Sequence, residues 1–403
     1  MVLILFVITI TSVWAVRMVS GLTEDQLLLR QEAARVAAEV YAPVAADWDR
    51  DRTICPPVER RRLGDLGYLG ICLPTEFGGS GAPVLDALVV LEELAKVNRP
   101  AAFQVFEANT GPARHLAILG SEEQKASVLP QVISGEAAVA VAISEPDAGS
   151  AATDMTTSVK EEGDDLVING VKRWISGGGH ADHYLVYCRF NDIPRSGGIG
   201  AVLVPADAEG LTYGAQERLM GFRGIPSADL YFDSVRVPRS ALVLGPGSFR
   251  TLFRSFSIER LGNATMSLAI GQAALDRTLA YAQERRQFGK PLIEFQSVQT
   301  AVANMILKVE ATRLLIYRAA TNAGTGMPDP LEVSLAKCTA NEMAKEVSDL
   351  AMQVHGGNGY SEEYGIERLH RDAHGWAIAG GTPAMQRIRI VSETLGRTFD
   401  QRR

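Results

Sequence analysis

Two short stretches of the sequence carry residue types and spacings that suit the binding of a flat cofactor. The first, residues 141–150, follows an apolar strand-like run and ends in turn-forming residues, which bring backbone amides and small hydroxyls close to a ligand. The second places Trp174 two residues before Ser176 and then opens into a glycine-rich turn at 177–179. Because residues two apart face the same side of an extended segment, we expect Trp174 and Ser176 to present a ring and a hydrogen-bond donor to one flat group.

The composition restricts the classes of protein and partner. The chain has 403 residues, 46% hydrophobic and 22% charged, which is enough for two or three domains with a substantial core. The formal net charge of −7, without a concentrated basic stripe, argues against a nucleic-acid partner. The histidines and cysteines lack the spacing of metal ligands, so we expect no metal site. The cysteines are expected to be free thiols in a reducing compartment: Cys55, Cys72, Cys188 and Cys338.

The first residues form an uncharged, mostly apolar stretch at 2–16 that ends before Arg17. This stretch is too short for a membrane-spanning helix, and it lacks the preceding positive charge and the small-residue cleavage site of a signal peptide. Met18 begins a sequence that leads into a capped helix, as a cytosolic start does. We therefore interpret the stretch as a misassigned start rather than a signal or anchor, and we expect a cytoplasmic protein.

The spacing of apolar residues changes twice along the chain. It is helical from about Thr23, it becomes short alternating runs after Ala138, and it returns to long helical segments from Phe249. The predicted fold class is an α+β multidomain protein with an N-terminal helical domain, a middle β-barrel or sandwich domain and a C-terminal four-helix bundle. The bundle helices are predicted at 249–285, 296–322, 331–354 and 383–397. The expected boundaries are an uncertain extension at 1–22 and domains at 23–137, 138–246 and 247–403.

The two stretches at 141–150 and 174–179 resemble, in this order, the flavin-binding middle domain of the acyl-CoA dehydrogenases. By that resemblance Ser144 and Ser176 reach the polar edge of the flavin, Trp174 lies beside its ring, and Ser150 sits where flavin and thioester meet. The resemblance implies FAD as the cofactor. The cofactor contacts that it implies here are Ile143, Ser144, Ser150, Trp174, Ile175 and Ser176.

Two further motifs resemble the family's contacts to the rest of the dinucleotide. The segment 284–296 is similar to its R-x-x-F-G motif, and the segment 353–360 is similar to its Q-x-x-G-G-x-G turn. The resemblance implies that Arg285 and Gln296 reach the diphosphate and adenosine portion across a subunit boundary, and an arginine fork suits a phosphate. The contacts implied in these two segments are Arg285, Phe288, Gln296, Gln353, Gly356 and Gly357, and the resemblance also implies cofactor contacts at Thr382 and Ala384.

The catalytic base of most family members precedes a Gly-Thr pair, but Gly380 occupies that position here. Glycine cannot abstract a proton, whereas Glu259 stands where many relatives carry a small or uncharged residue. The isovaleryl-CoA and long-chain acyl-CoA dehydrogenases are similar in this respect, so we predict Glu259 as the base, with a pKa raised by burial. An amide of Gly380 or Gly381 is expected to hold the thioester oxygen. The expected substrate contacts are Ser150, Ser257, Arg260, Gly380 and Gly381.

The resemblance implies an FAD-dependent acyl-CoA dehydrogenase that forms a 2-enoyl thioester. Ala379 and Gly380 widen the acyl pocket, so a branched, cyclic or bulky acyl group is expected. The expected partners are an acyl-CoA or acyl-carrier-protein thioester, an electron-transfer flavoprotein as acceptor, and further copies of the chain in a homotetramer or dimer. The alternatives are an acyl or aminoacyl carrier-protein dehydrogenase of a natural-product pathway, a flavin monooxygenase or oxidase on the same fold, and a scaffold without catalysis.

Two polar residues, Glu107 and Asn109, fall in the segment that shapes the acyl pocket in this family. They indicate either an acyl group with a polar tail or a solvated helix face. The sequence leaves both interpretations open.

Overall fold

The computed structural model describes residues 21–399. Three regions follow one another along the chain: helices up to residue 133, a sheet between 139 and 244, and helices from 249 onward. This order confirms the predicted succession of a helical, a β and a second helical region. The interpretation of residues 2–16 lies outside the described residues and stays a prediction.

The N-terminal region is built from helices that local signals start and stop. Thr23 and Gln26 form a capping box at the start of the first helix, and Pro43 lacks the N–H that would continue it beyond a short π-helical turn at Ala37–Tyr41. Asn98 caps the fifth helix by accepting a hydrogen bond from Ala101 N (3.0 Å). The helices are α1 (Glu24–Val36), α2 (Ala45–Asp51), α3 (Pro57–Asp65), α4 (Val84–Val97), α5 (Arg99–Asn109), α6 (Pro112–Leu119) and α7 (Glu122–Ile133).

The middle region is a mixed sheet. Its strands are β1 (Val139–Ala142), β2 (Ser158–Glu162), β3 (Asp165–Ser176), β4 (His183–Phe190), β5 (Ile199–Pro205), β6 (Leu211–Tyr213), β7 (Ser227–Pro238) and β8 (Leu242–Leu244). Their order is β6-β7-β3-β2-β4-β5-β8, and β1 pairs with β4 in parallel. Because side chains alternate along a strand, Tyr184 and Val186 of β4 face the sheet's own core, whereas Leu185 and Tyr187 face the helices.

The C-terminal region packs around one long helix. Its elements are α8 (Phe249–Glu284), α9 (Gln296–Ala323), α10 (Pro330–His355), α11 (Gly357–Tyr360), α12 (Ile366–Ile378), α13 (Pro383–Leu395) and a ribbon of β9 (Arg286–Gln287) with β10 (Lys290–Pro291). The predicted bundle helices are present, with ends shifted by at most two residues. Helix α12 was not predicted, because its many charged residues obscure an apolar stripe that includes Ile366, Leu369 and Trp376.

Two general observations concern the described residues as a whole. No helix between residues 21 and 399 is both long enough and apolar enough to cross a membrane. All four cysteines are buried and unpaired, as the spacing predicted.

Candidate active site

The first predicted cofactor stretch is a turn that a buried ion pair ties to strand β3. The Glu145 carboxylate accepts hydrogen bonds from Lys172 Nζ (2.8 Å) and from the amides of Thr156 (2.6 Å) and Thr157 (2.9 Å). Lys172 Nζ also donates to Ile143 O (2.9 Å). Burial alone raises the pKa of Glu145, but Lys172 and the amide donors outweigh it and lower that pKa to about 2. The Glu145 carboxylate is therefore ionised at neutral pH, and its hydrogen bonds hold the turn.

This turn lies directly beside the second predicted cofactor stretch. Arg173 N donates to Ser144 O (2.8 Å), which joins the turn to the end of β3. The predicted contacts differ in exposure: Ser150 and Trp174 are exposed, Ile143, Ser144 and Ser176 are half-buried, and Ile175 is buried. The structure thus brings the two stretches together.

Trp174 departs from the regular strand that the prediction assumed. Its φ is 61°, in the left-handed region, and the register of β3 against β7 shifts between Lys172 and Ile175. The predicted two-residue alternation is therefore wrong at Trp174, because a β-bulge re-aims the side chain. The Trp174 side chain is nevertheless 50% exposed, and the Arg173 guanidinium lies 4.6 Å from the ring centroid. A large exposed ring on a strained backbone is a candidate platform for a flat ligand.

Glu259 projects from α8 to the space beside Gly380. Its side chain is 13% exposed, and its Oε2 has no hydrogen-bond partner among the described residues. A Cβ atom placed on Gly380 would lie 3.7 Å from Glu259 Oε1. Burial raises the pKa of Glu259 to about 7, against the opposing charges of Arg260 and Lys337. A carboxyl that changes its protonation near neutral pH suits general base catalysis.

Gly380 and Gly381 form a turn with φ values of 65° and 93°, which favour glycine. Gly380 O accepts from Arg260 Nε (3.2 Å), and Gly381 O accepts from Lys337 Nζ (2.9 Å) and Gln386 Nε2 (3.0 Å). The N–H groups of both glycines have no acceptor within residues 21–399. Two backbone donors are therefore available to a ligand oxygen next to Glu259.

The other predicted residues around this turn differ in what they contact. Arg260 is buried, and its bond to Gly380 O makes it a support of the turn. Ser257 is fully buried, and its Oγ has no partner in the described part of the chain. Thr382 Oγ1 caps α13 by accepting from an amide in the first turn of that helix (3.4 Å), whereas Ala384 is exposed.

A buried polar network, which no sequence motif predicted, lies behind the turn. Lys337 Nζ donates to Asn341 Oδ1 (2.9 Å), and Asn341 Nδ2 donates to Asn263 Oδ1 (2.9 Å) and Ser267 Oγ (2.8 Å). Asn263 Nδ2 donates to two backbone carbonyls at the end of α12 (3.1 and 3.3 Å). Burial, assisted by the charge of Arg260, lowers the pKa of Lys337 to about 7. The available signal was the four-residue spacing of polar side chains within two otherwise apolar helices.

A buried histidine on α6 was also missed. His115 Nε2 lies 3.8 Å from Glu259 Oε2, and it has no hydrogen-bond partner among the described residues. Burial lowers the pKa of His115 to about 3, so the ring is neutral. Buried polar atoms without partners are rare, which distinguishes the surroundings of Glu259 from ordinary core.

The remaining predicted cofactor contacts lie at the other end of α8. All of them are exposed: Arg285, Phe288, Gln296, Gln353, Gly356 and Gly357. Tyr281 connects α8 to the turn after α10, because its ring stacks on His355 (4.2 Å between centroids) and its hydroxyl accepts from Asn358 Nδ2 (2.9 Å). These residues form a second surface, which we call the distal surface.

The distal surface is far from Glu259. Residues 259 and 284 are 284 − 259 = 25 positions apart in one helix, which corresponds to about 37 Å at 1.5 Å per residue. One dinucleotide does not span that distance. A single protomer therefore does not bring all of the predicted cofactor contacts to one place.

The structure places Glu107 and Asn109 in different surroundings. Asn109 is fully buried, accepts from Cys72 N (2.9 Å) and donates to Tyr68 O (2.8 Å), so it ties α5 to the loop before α4. Glu107 is half-buried. The interpretation as a solvated helix face is wrong for Asn109, which is buried, whereas for the half-buried Glu107 both interpretations stay open.

Comparison with known families finds models of one family over most of the described chain. Three models match: "Acyl-CoA dehydrogenase, N-terminal domain" over residues 23–136, "middle domain" over 140–235 and "C-terminal domain" over 249–395. A curated relative is the 3-sulfinopropanoyl-CoA desulfinase of Paraburkholderia xenovorans, 37% identical over 389 residues, which are 95% of this chain and 99% of the relative.

Solved structures agree with the family models. The butyryl-CoA dehydrogenase of Megasphaera elsdenii is 32% identical with a TM-score of 0.89, over 94% of this chain and 100% of that one. A chain from the structural study of the electron transferring flavoprotein of Acidaminococcus fermentans is 33% identical with a TM-score of 0.90, over 94% of this chain and 100% of that one.

Proposed function

Because the chain belongs to the acyl-CoA dehydrogenase family, we propose that it desaturates an acyl thioester between its α and β carbons, with Glu259 as the base. Members of this family are FAD-binding oxidoreductases. The observation that carries the proposal is the position of the Glu259 carboxylate. Its Oε1 lies 3.7 Å from where a side chain at residue 380 would begin, so Glu259 reaches the place where most relatives carry the base.

In the proposed reaction Glu259 takes one proton from the α carbon of the thioester. A hydride leaves the β carbon, and the electron pair of the broken α C–H bond forms the double bond. Bound FAD supplies the acceptor for that hydride. Because the pKa of Glu259 is about 7, a large fraction of the enzyme carries the basic carboxylate at neutral pH.

The thioester oxygen gains negative charge as the α proton leaves. The free N–H groups of Gly380 and Gly381 are donors that suit this oxygen. Arg260 and Lys337 hold the carbonyls of the same two residues, so the orientation of the N–H groups depends on side chains that do not themselves need to touch the substrate. We assign Arg260 and Lys337 a positioning role on this basis.

The residues around the first two stretches fit a flavin. Ser144 and Ser176 are accessible, the Trp174 ring is open, and the bond from Arg173 N to Ser144 O sets the turn beside the strand. These groups would hold the ring portion of FAD, with Ser150 at the boundary with the thioester. The Glu145–Lys172 pair keeps the arrangement in place.

We propose a homo-oligomer, a dimer or tetramer, in which the distal surface of one subunit completes the flavin site of another. Phe288 supports this proposal, since its side chain is 93% exposed and its φ is 49°, in the left-handed region. A strained, exposed aromatic residue is costly in an isolated protomer. Arg285 beside it offers a fork of donors for the diphosphate.

The proposed electron acceptor is an electron-transfer flavoprotein. The kind of partner is supported by the similarity to a chain from the Acidaminococcus fermentans study. The proposed substrate is a CoA thioester, as in the relatives whose names include CoA. A carrier-protein thioester is the alternative source of the same acyl chemistry.

A second candidate is the desulfination of a sulfinoacyl-CoA, because a relative with that activity is 37% identical over 95% of the chain. The charges around the site argue against it. Glu107 and Glu259 place two carboxyl groups near one another, so that the charge of Glu259 contributes to raising the pKa of Glu107. A sulfinate group would add negative charge beside these two carboxyl groups.

The test is an anaerobic titration of the purified FAD protein with straight-chain, branched and cyclic acyl-CoAs, with mass analysis of the products. Loss of the visible flavin absorbance, together with a product lighter by two hydrogens, is expected. Sulfur release from 3-sulfinopropanoyl-CoA without flavin bleaching would support the second candidate. Rapid oxygen consumption by the reduced protein would support the oxidase alternative. Retention of the full flavin absorbance with every CoA and carrier-protein thioester would overturn the proposal.

A further inference from the structure

The imidazole of His115 is a buried polar group that the proposed mechanism does not use. The side chain is fully buried, and both of its ring nitrogens lack a hydrogen-bond partner among the described residues. Its Nε2 lies 3.8 Å from Glu259 Oε2, which is also buried and has no partner within residues 21–399. Buried polar atoms nearly always form hydrogen bonds, so two unpartnered ones that face each other need an explanation.

The packing of α6 against α8 keeps the imidazole beside Glu259. The centroid of the imidazole lies 4.6 Å from that of the Phe256 ring. Phe256 and Glu259 are three residues apart on α8, so they lie on the same face of that helix. One turn further along α8, a Cβ atom on Gly262 would collide with Thr110 Oγ1, just before the start of α6. The two helices are therefore held too close for the ring to leave this position.

The imidazole is an uncharged donor. Burial, and then the charge of Arg260, lower the pKa of His115 to about 3, whereas the Ser255 backbone opposes them. A neutral imidazole carries a single N–H group, on one of its two nitrogens. Since Nε2 is the nitrogen that faces Glu259, the tautomer with its proton on Nε2 can donate to the carboxylate. This contact brings no further charge into the buried site.

Other charged or polar groups also face Glu259. Arg260 on α8 and Lys337 on α10 donate to carbonyls of the glycine turn (3.2 and 2.9 Å). Burial, and then the charge of Glu259, raise the pKa of Glu107 on α5 and of Tyr187 on β4. The Tyr187 hydroxyl is buried and has no partner in the described part of the chain. Tyr187 is therefore the alternative donor that an experiment must separate from the imidazole.

We infer that His115 is a positioning residue, whose Nε2–H donates a hydrogen bond to Glu259 Oε2 and leaves Oε1 to face the glycine turn. The inference rests on the proposed function, because the orientation of this carboxylate matters for the reaction only if Glu259 is the base. The separation of 3.8 Å exceeds a usual N–H···O distance by about 1 Å, and rotation of the flexible glutamate side chain closes it. Oε1 lies 3.7 Å from a Cβ atom placed on Gly380, so the two oxygens have separate tasks.

The experiment follows the protonation of Glu259 in the FAD-loaded protein without substrate. The protonated carboxyl group gives an infrared band, which is identified as the band that Glu259→Gln removes, and the pH at which it is half lost is the midpoint. His115→Phe and His115→Leu both remove the donor, one with a ring and one with a smaller side chain. His115→Gln places an amide N–H near the position of Nε2. Tyr187→Phe is the matched control, since it removes the other buried donor.

A lost donor disfavours the carboxylate, so the midpoint in His115→Phe and His115→Leu is expected to move to higher pH by about one unit. The pH profile of flavin reduction should move equally, His115→Gln should restore most of the midpoint, and Tyr187→Phe should leave it nearly unchanged. A midpoint that stays in place or moves to lower pH when the imidazole is removed would overturn the inference, as would a larger shift in Tyr187→Phe. A flavin that no thioester reduces in the unsubstituted protein would instead refute the proposed function, while the infrared midpoint still tests the contact.

Discussion

Replacing Glu259 by Gln should make the protein more stable, and only above a certain pH. The folded protein raises the pKa of Glu259 from 4.5 to about 7, mainly by burial. Below pH 4.5 the carboxyl is protonated in both the folded and the unfolded chain, so the substitution changes little. Between pH 4.5 and 7 the unfolded chain ionises while the folded chain does not, and the folded state loses relative stability.

The size of the effect follows from the two pKa values. A difference of about 2.5 pKa units, at 1.36 kcal/mol per unit, lowers the free energy of unfolding of the unsubstituted protein by about 3 kcal/mol above pH 7, and the glutamine variant avoids this loss. At roughly 2.1 cal/mol/K per residue over 403 residues, the entropy of unfolding is about 0.85 kcal/mol/K, so the apparent Tm should rise by about 4 °C. Glutamine keeps the shape of the side chain and cannot ionise, so the gain should be absent near pH 4 and complete near pH 8.

The assay is the apparent Tm of both FAD-loaded proteins from pH 4 to pH 9 at one scan rate. Glu92→Gln is the matched control, because Glu92 is also buried but Arg313 and Arg30 outweigh its burial and lower its pKa to about 2. That substitution should destabilise the protein by an amount that hardly changes from pH 4.5 to pH 9, because the pKa of Glu92 lies below this range in both the folded and the unfolded chain. A Glu259→Gln difference that does not depend on pH would refute the reasoning about burial of the base.

Three further predictions follow from the contacts around the site. Lys337→Met should slow flavin reduction by about 10- to 100-fold by loosening the glycine turn. It should also move the pH profile of the reduction rate to higher pH, because a positive charge near Glu259 is lost. Reduction rates measured across pH check both effects, and an unshifted profile would contradict the predicted influence of Lys337 on Glu259. Glu145→Gln leaves Lys172 buried without its partner and should cost about 3–5 kcal/mol, whereas adding Lys172→Met should recover part of the thermal stability; a double variant no better than the single one would contradict the ion-pair account. Gly380→Glu in a Glu259→Gly background should restore part of the reduction rate, limited by strain at a φ of 65°, and no recovery in stopped-flow traces of a folded, FAD-loaded protein would show that the two positions do not share one site.

The sequence was most informative where chemistry depends on residue identity and order. The succession of helical, strand and helical patterns predicted the three regions, because each pattern is local. The shift of the predicted base from position 380 to position 259 could also be recognised in the sequence, because glycine cannot take a proton and glutamate can.

The parts that were missed depend on contacts between distant segments. The bulge at Trp174 arises from the register of β3 against β7, and no local residue pattern marks it. The network of Lys337, Asn341 and Asn263 exists because α8, α10 and the end of α12 meet in one place. The polar residues on an apolar helix face could be noticed in the sequence. Their hydrogen-bond partners could be identified only from the packing of the helices.

The separation of the distal surface from Glu259 could be predicted in part from the sequence. The length of α8 was predicted to within one residue, so the distance of about 37 Å could have been worked out from the sequence. The exposure of Phe288 and Arg285 could be seen only in the structure. Because these exposed residues lie far from Glu259, they support a cofactor site that a second subunit completes.

The most direct test of the account is the rate of flavin reduction by one good acyl-CoA substrate, measured anaerobically by stopped flow in the unsubstituted protein and in Glu259→Gln. General base catalysis by a positioned carboxylate is worth about 10²- to 10⁴-fold. The account predicts a loss of that size in Glu259→Gln, with the substrate dissociation constant changed far less. Equal reduction rates in the two proteins would contradict the assignment of Glu259 as the base.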